Sequence, residues 1–175
     1  MREILTAGGQ TAEIIGRPRK LVADFNRKFH GELRERLRLP ELGAGALLDI
    51  GVYPVAFAYS LFGPPNKISA SGTVDELGVD LAAEIRFTYS GPEVAEIEYS
   101  MLEDKGVLAT IECERGRIEI DGPWFEQSTF RVIDESGKTI EAYAERDFAG
   151  RGMQFQALDM ERRILAGELD SSLIR

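Results

Sequence analysis

The segment around Asp49 and Tyr53 carries the side chains of this sequence that are best suited to chemistry. If the segment is helical, these two residues are four apart and share one face. A carboxylate and a phenol placed together could hold a hydroxyl-bearing substrate and exchange its proton, although a free phenol, with a pKa of about 10, needs a neighbouring cation to do so near neutral pH. Pro54 would kink the helix from inside, or would leave Asp49 outside it if the proline lay in the first turn. The spacing alone therefore leaves a catalytic and a purely structural role open.

Small residues precede this pair, with Gly43 and Gly45 on either side of Ala44. Glycine lets another backbone or a flat ligand approach the start of a helix closely. We therefore predict that Gly43 and Gly45 contact a cofactor.

Other catalytic motifs are absent from the sequence. It contains one histidine, His30, and one cysteine, Cys113, so a multi-histidine metal site and a cysteine cluster are both excluded. No glycine-rich dinucleotide or phosphate-binding motif occurs either. Cys113 falls on the apolar side of an expected strand and is predicted to be a buried small side chain. We expect no metal site.

Charge is distributed unevenly along the 175 residues, whose net charge is −9. Eight Lys and Arg residues against three acids lie between Arg17 and Arg38, and the remainder is strongly acidic. The overall charge argues against nucleic-acid binding. The basic segment either anchors an anionic ligand or faces water. From it we predict Arg36, Lys28 and His30 as substrate-binding residues, with a solvent-exposed role as the alternative for each.

Targeting signals are also missing. The N-terminus lacks the basic and apolar regions of a signal peptide, and no apolar run approaches the roughly 20 residues that span a bilayer. The prediction is a cytoplasmic protein that binds no membrane.

Hydrophobic periodicity predicts an α+β domain with an open, mostly antiparallel sheet of about six or seven strands and helices on one face. Helices are expected over residues 1–15, 46–62 and 152–165, each followed by a glycine. A charged loop is expected after the first strand. The predicted strands cover residues 19–29, 68–74, 79–89, 95–101, 107–113, 118–120 and 130–132, and those at 79–89 and 95–101 form a hairpin.

The run Pro40–Pro54, PELGAGALLDIGVYP, resembles the start of the long second-domain helix in the glucose-fructose oxidoreductase/inositol dehydrogenase (Gfo/Idh/MocA) family. The stretch Ile15–Phe25 resembles the entry into that domain. Tyr53 occupies the position where histidine is more frequent in the family. A tyrosine at this position resembles the branch of dimeric dihydrodiol dehydrogenase and NADP-dependent xylose dehydrogenase.

The resemblance implies an NAD(P)-dependent oxidoreductase that acts on a sugar or a cyclic diol. Tyr53 would be the proton donor and acceptor, activated by a lysine of an N-terminal Rossmann domain, and Asp49 would orient the substrate or that lysine. NADP or NAD would be bound mainly by the Rossmann domain, whose motifs this sequence lacks.

Residues 1–16 are accordingly interpreted as a remnant helix of the preceding domain or a linker, and residues 17–175 as a C-terminal domain for substrate binding and oligomerisation. A homodimer through the sheet is expected. The alternative is a non-catalytic oligomerisation or binding module that uses the sheet and holds no cofactor.

Overall fold

An open sheet of eight strands is the framework of the domain. The structure, a computed structural model, describes residues 10–145, 148, 150 and 152–169. The strands are β1 (Pro18–Asn26), β2 (Lys67–Val74), β3 (Asp80–Thr88), β4 (Val94–Ser100), β5 (Ala109–Cys113), β6 (Gly116–Ile120), β7 (Thr129–Asp134) and β8 (Thr139–Ala144).

The strand order is β2-β3-β4-β1-β5-β6-β7-β8. Strand β1 is parallel to β4, and every other neighbouring pair is antiparallel. The predicted hairpin is therefore confirmed as β3–β4, with Ile85 opposite Ile97. The predicted count of about six or seven strands is slightly lower than the observed eight, because β8 was not recognised in the sequence.

Within the described residues, four α-helices accompany the sheet. They are α1 (Gln10–Ile15), α2 (Gly31–Arg36), α3 (Val52–Phe62) and α4 (Met153–Ala166). A short 3₁₀ turn at Pro40–Leu42 and a wide π-helical turn at Leu47–Gly51 lead into α3. Residues 1–9 of the predicted N-terminal helix lie outside the described residues.

The core lies between the helices and one face of the sheet. Alternate residues of β1, namely Leu21, Ala23 and Phe25, are buried. The π-turn and α3 pack over β1 and β4, and α1 packs over β6 and β7. Ile15 of α1 is fully buried in the same core. Helices on one face were predicted, and the structure agrees.

Helix α2 replaces the charged loop that was expected after the first strand. Its sequence, GELRER, consists of good helix formers after the glycine. Glu32 and Arg36 lie one turn apart, where opposite charges stabilise a helix. The segment was predicted as a loop because of its high charge, although its residue types favour a helix.

The helical stretch Pro40–Phe62 has 23 residues and contains an 18-residue window with a mean hydropathy of 1.4, enough by length and composition to cross a membrane. The expectation that no apolar run reaches such a length is therefore corrected. Core helices of globular domains meet the same criterion. In this helix Pro54 and Ala58 are buried.

The face of the sheet away from the helices is charged. Glu96 of β4 pairs with Lys20 of β1 and Arg86 of β3. Arg131 of β7 pairs with Glu119 of β6. Helices α1 and α3, the described α-helices that pack on the sheet, both lie on its other side.

Candidate active site

The start of the π-turn is held by Asp80, the first residue of β3. The backbone N–H of Leu47 donates to Oδ2 of Asp80 over 2.7 Å, and the buried hydroxyl of Tyr99 also donates to this carboxylate. Gly45 has φ +118°, and a Cβ there would lie 2.2 Å from Oδ1 of Asp80. A carboxylate that accepts the first free N–H of a helix acts as a cap. Asp80 therefore orients the segment that carries Asp49 and Tyr53.

Pro54 lies in the first turn of α3, and Asp49 lies in the preceding π-turn. The helical course nevertheless continues without a break, and Asp49 and Tyr53 line the same cavity. A π-turn places extra residues in one turn and is a frequent feature of functional sites. The shared orientation that the spacing predicted is present, although by a wider turn than an α-helix provides.

The cavity has a volume of 460 Å³ and opens where β1 ends. Pockets for small ligands are usually of this size. Its lining combines aromatic, cationic and carboxylate groups: Phe25, Arg27, Lys28, Phe29, His30, Asp49, Ile50, Tyr53 and Phe125.

Three aromatic rings form one wall of the cavity. The rings of Phe25 and Phe125 stack with centroids 4.4 Å apart. The ring of Tyr53 contacts Phe25 edge-on at 5.4 Å and Phe125 at 5.0 Å. These distances are those of favourable ring pairs. Because Tyr53 is 41% exposed, its phenol is supported on one side and accessible on the other.

Trp124 holds this wall in place. Its indole N–H donates to the backbone carbonyl of Asp24 over 2.8 Å, and its ring stacks on Phe57 of α3 at 5.1 Å. Trp124 also meets the ring of Phe125 edge-on. Sequence reasoning missed both Trp124 and Phe125. The available signal was an adjacent aromatic pair directly after the Gly122-Pro123 turn, a position where polar residues are usual.

The predicted charged residues all lie at or beside the cavity. Lys28 and His30 line it together with Arg27. Arg36 reaches it indirectly, through an ion pair of 3.3 Å between its Nη2 and Oδ1 of Asp49. Arg27, Lys28 and His30 make no side-chain ion pair within the described part of the chain.

The two predicted glycines lie in the turn that precedes the helix. Gly43 is exposed at φ +70°, where a Cβ would meet nothing within 4 Å, and ends the 3₁₀ turn. Gly45 is buried against Asp80. The structure accounts for Gly45 by this close approach.

Cys113 lies away from the cavity and packs at the edge of the core. Burial raises the pKa of its thiol to about 11, with a smaller effect from the charge of Glu114. Among the described residues, no group of three or more His, Cys, Asp or Glu side chains could hold a metal ion.

A family model described as the GFO/IDH/MocA C-terminal domain matches residues 10–119. This chain belongs to that family. The match confirms the resemblance that the sequence around Asp49 and Tyr53 suggested. It extends from α1 to β6 and so includes every predicted site residue.

Dihydrodiol dehydrogenases are among the similar curated proteins. A trans-1,2-dihydrobenzene-1,2-diol dehydrogenase of Danio rerio is 28% identical over 163 residues, which cover 90% of this chain and 48% of that enzyme. The enzyme of the same name from Homo sapiens is 33% identical over 135 residues, covering 74% of this chain and 40% of the human protein. The chain thus spans about half the length of the curated relatives it matches.

A solved structure supports the same fold. A 3-ketoreductase from Actinomadura kijaniata, crystallised with NADP and TDP-benzene, matches with a TM-score of 0.70 and 20% identity. The match covers 91% of this chain and 50% of that one.

Proposed function

We propose that this domain is the substrate-binding part of an NAD(P)-dependent oxidoreductase that acts on a hydroxyl of a sugar or a cyclic diol. The observation that carries the proposal is the placement of Asp49 and Tyr53 on one small cavity, with the phenol of Tyr53 supported by aromatic rings and still accessible. Tyr53 is the proton donor and acceptor, and Asp49 orients the substrate.

The chain's own residues supply the proton transfer and the orientation. Tyr53 takes the proton of the reacting hydroxyl during oxidation and returns it during reduction. Asp49 accepts a hydrogen bond from a second hydroxyl, while Arg36 keeps its carboxylate charge balanced. Phe25 and Phe125 cover the apolar face of a ring and exclude water. A bound nicotinamide cofactor supplies the complementary hydride transfer at the substrate carbon.

We further propose that a Rossmann domain binds most of NADP or NAD and contributes a lysine that activates Tyr53. The surface beside the cavity supports this proposal. Leu48 is 68% exposed, and Leu42 and Val52 are about half exposed. Several exposed apolar residues in the segment that carries Asp49 and Tyr53 are typical of a surface that another domain covers. Gly43 lies on this surface, as a cofactor contact requires.

A homodimer through the open sheet is the proposed assembly. The charges on this face alternate in sign, as between Lys20, Glu96 and Arg86. A two-fold axis can set such a face against itself with opposite charges in contact. A sedimentation experiment that finds only monomer at micromolar concentration would contradict this assembly.

Turnover of the complete oxidoreductase tests the catalytic assignment. Tyr53→Phe should abolish most of kcat, and Asp49→Asn should reduce kcat/KM, because each change removes one group that touches the substrate. Tyr59→Phe, on the same helix, is the matched control and should retain activity. Unchanged turnover in Tyr53→Phe would favour the alternative, a non-catalytic module.

A further inference from the structure

The cavity beside Tyr53 has a positive rim, although the whole chain carries a net charge of −9. Arg27 and Lys28 line the cavity, and their side chains make no ion pair within the described residues. The carboxylate of Asp49 is the acidic group in the lining, and Arg36 pairs with it. These three cations and one carboxylate leave an excess of two positive charges, before any contribution from His30.

Packing of the strand end against the neighbouring loop keeps this rim in place. The backbone N–H of Arg27 donates to the carbonyl of Ser100 over 2.9 Å. The backbone N–H of Lys28 donates to Oδ1 of Asp104 over 3.0 Å. The main chain at both residues is therefore anchored to the segment after β4, while their side chains stay exposed. Asp104 is engaged by this contact and lines an adjoining cavity, which also has Arg27 in its lining.

Two kinds of surface thus meet in one cavity. The aromatic wall of Phe25, Tyr53 and Phe125 suits the apolar face of a ring. The cationic rim suits an anion, because guanidinium and ammonium groups without a carboxylate partner bind phosphate oxygens strongly. A neutral sugar or diol would use the wall and would leave the rim unpaired.

We infer that Arg27, Lys28 and His30 form a subsite for a phosphate or diphosphate group of a ligand whose ring lies against Tyr53 and Phe125. The inference rests on the proposed function for the location of the ring. The anion belongs either to the substrate, as in a phosphorylated or nucleotide-linked sugar, or to the nicotinamide cofactor. The chemistry at the rim is the same in both cases.

Binding of inorganic pyrophosphate tests the subsite directly. His30 is the single histidine of the chain, so its imidazole C–H signals in NMR spectra report on the rim without assignment of other residues. Pyrophosphate should shift these signals saturably, and added salt should weaken the binding. The double variant Arg27→Ala/Lys28→Ala should bind at least roughly tenfold more weakly, because it loses two charge-assisted contacts. Lys67→Ala removes a cation of strand β2 outside the cavity and should bind like the unchanged protein.

Two matched pairs of probes identify the source of the anion. A hexose phosphate that binds more tightly than the neutral hexose places the anion on the substrate. Adenosine 2′,5′-bisphosphate that binds more tightly than adenosine places it on the cofactor. Equal affinity within both pairs overturns the inference, as does pyrophosphate binding that the double variant leaves unchanged. Since none of these measurements uses Tyr53, their failure is distinct from a failure of the Tyr53→Phe turnover test.

Discussion

Replacing Asp80 by alanine should loosen the segment that carries Asp49 and Tyr53. The carboxylate of Asp80 accepts the backbone N–H of Leu47 over 2.7 Å and the hydroxyl of Tyr99. Tyr99 is 3% exposed, so water has little access to it. The variant would therefore leave one helix-terminal donor and one buried hydroxyl without their acceptor.

The magnitude follows from these two contacts. Loss of a side-chain cap costs about 0.5–2 kcal/mol, and a buried donor left without a partner costs about 1–3 kcal/mol. The structure around residue 80 can relax in the variant, so the two costs do not add in full. We therefore expect Asp80→Ala to lower the free energy of unfolding by about 2–4 kcal/mol. Asp80→Asn keeps one oxygen acceptor and should cost roughly half as much.

Urea unfolding followed by circular dichroism measures the three proteins at one pH. Turnover of the proposed oxidoreductase should fall in the same order, because Asp49 and Tyr53 both depend on this turn. The reasoning would be refuted if Asp80→Ala unfolded within about 0.5 kcal/mol of the unchanged protein, the range expected of an ordinary surface substitution. An Asn variant as unstable as the Ala variant would also contradict it, since charge rather than acceptor geometry would then dominate.

Three further predictions concern other parts of the domain. Phe125→Ala removes ring contacts with Phe25, Tyr53 and Trp124 and should lower the free energy of unfolding by about 2–3 kcal/mol; a loss below about 0.5 kcal/mol in urea unfolding would show that the wall contributes nothing. Because burial raises the pKa of Cys113 to about 11, its thiol should react slowly with iodoacetamide at pH 8 and faster as the pH approaches 11. Mass spectra that show rapid modification of the folded protein at pH 8 would contradict the burial of this thiol. The hydrogen bond from Lys20 keeps the pKa of Glu96 below its ordinary value of 4.5, so this contribution to stability is present above pH 4.5 and is lost as the pH falls through the lowered pKa. Lys20→Ala should therefore reduce the loss of stability over this acidic range. An unchanged slope of the free energy of unfolding against pH would show that the pair is not involved.

Local patterns predicted the elements whose burial alternates along the chain. Strand β3 alternates between buried and exposed residues, as with Ile85 beside Glu84, because one face of the sheet is covered. The end of α3 at Gly63 was also predictable, since this glycine adopts φ +76° and two prolines follow. These features depend on neighbours within a few residues.

Long-range pairing could not be predicted in the same way. The parallel alignment of β1 with β4 joins Leu21 to Ala95, and no local signal records it. Strand β8 was missed because its residues are mostly exposed and do not show a buried face.

The same limit applied to the site. Asp49 and Tyr53 were predicted from their four-residue spacing together with the family resemblance of the run around them, whereas Phe125 contacts Phe25 from 100 residues away. Asp80 likewise contacts Leu47 from another strand. The residues that position Asp49 and Tyr53 could therefore be recognised only from the fold, whereas Asp49 and Tyr53 could be proposed from the local sequence.

A crystal structure of the complete oxidoreductase with NADP and a cyclic diol would test the central proposal most directly. We predict a substrate hydroxyl within hydrogen-bond distance, about 2.6–3.2 Å, of the phenol oxygen of Tyr53. The diol's ring should lie against Phe25 and Phe125, with Asp49 contacting its second hydroxyl. A diol bound on the open face of the sheet, or bound in the cavity with no hydroxyl near Tyr53, would contradict the account.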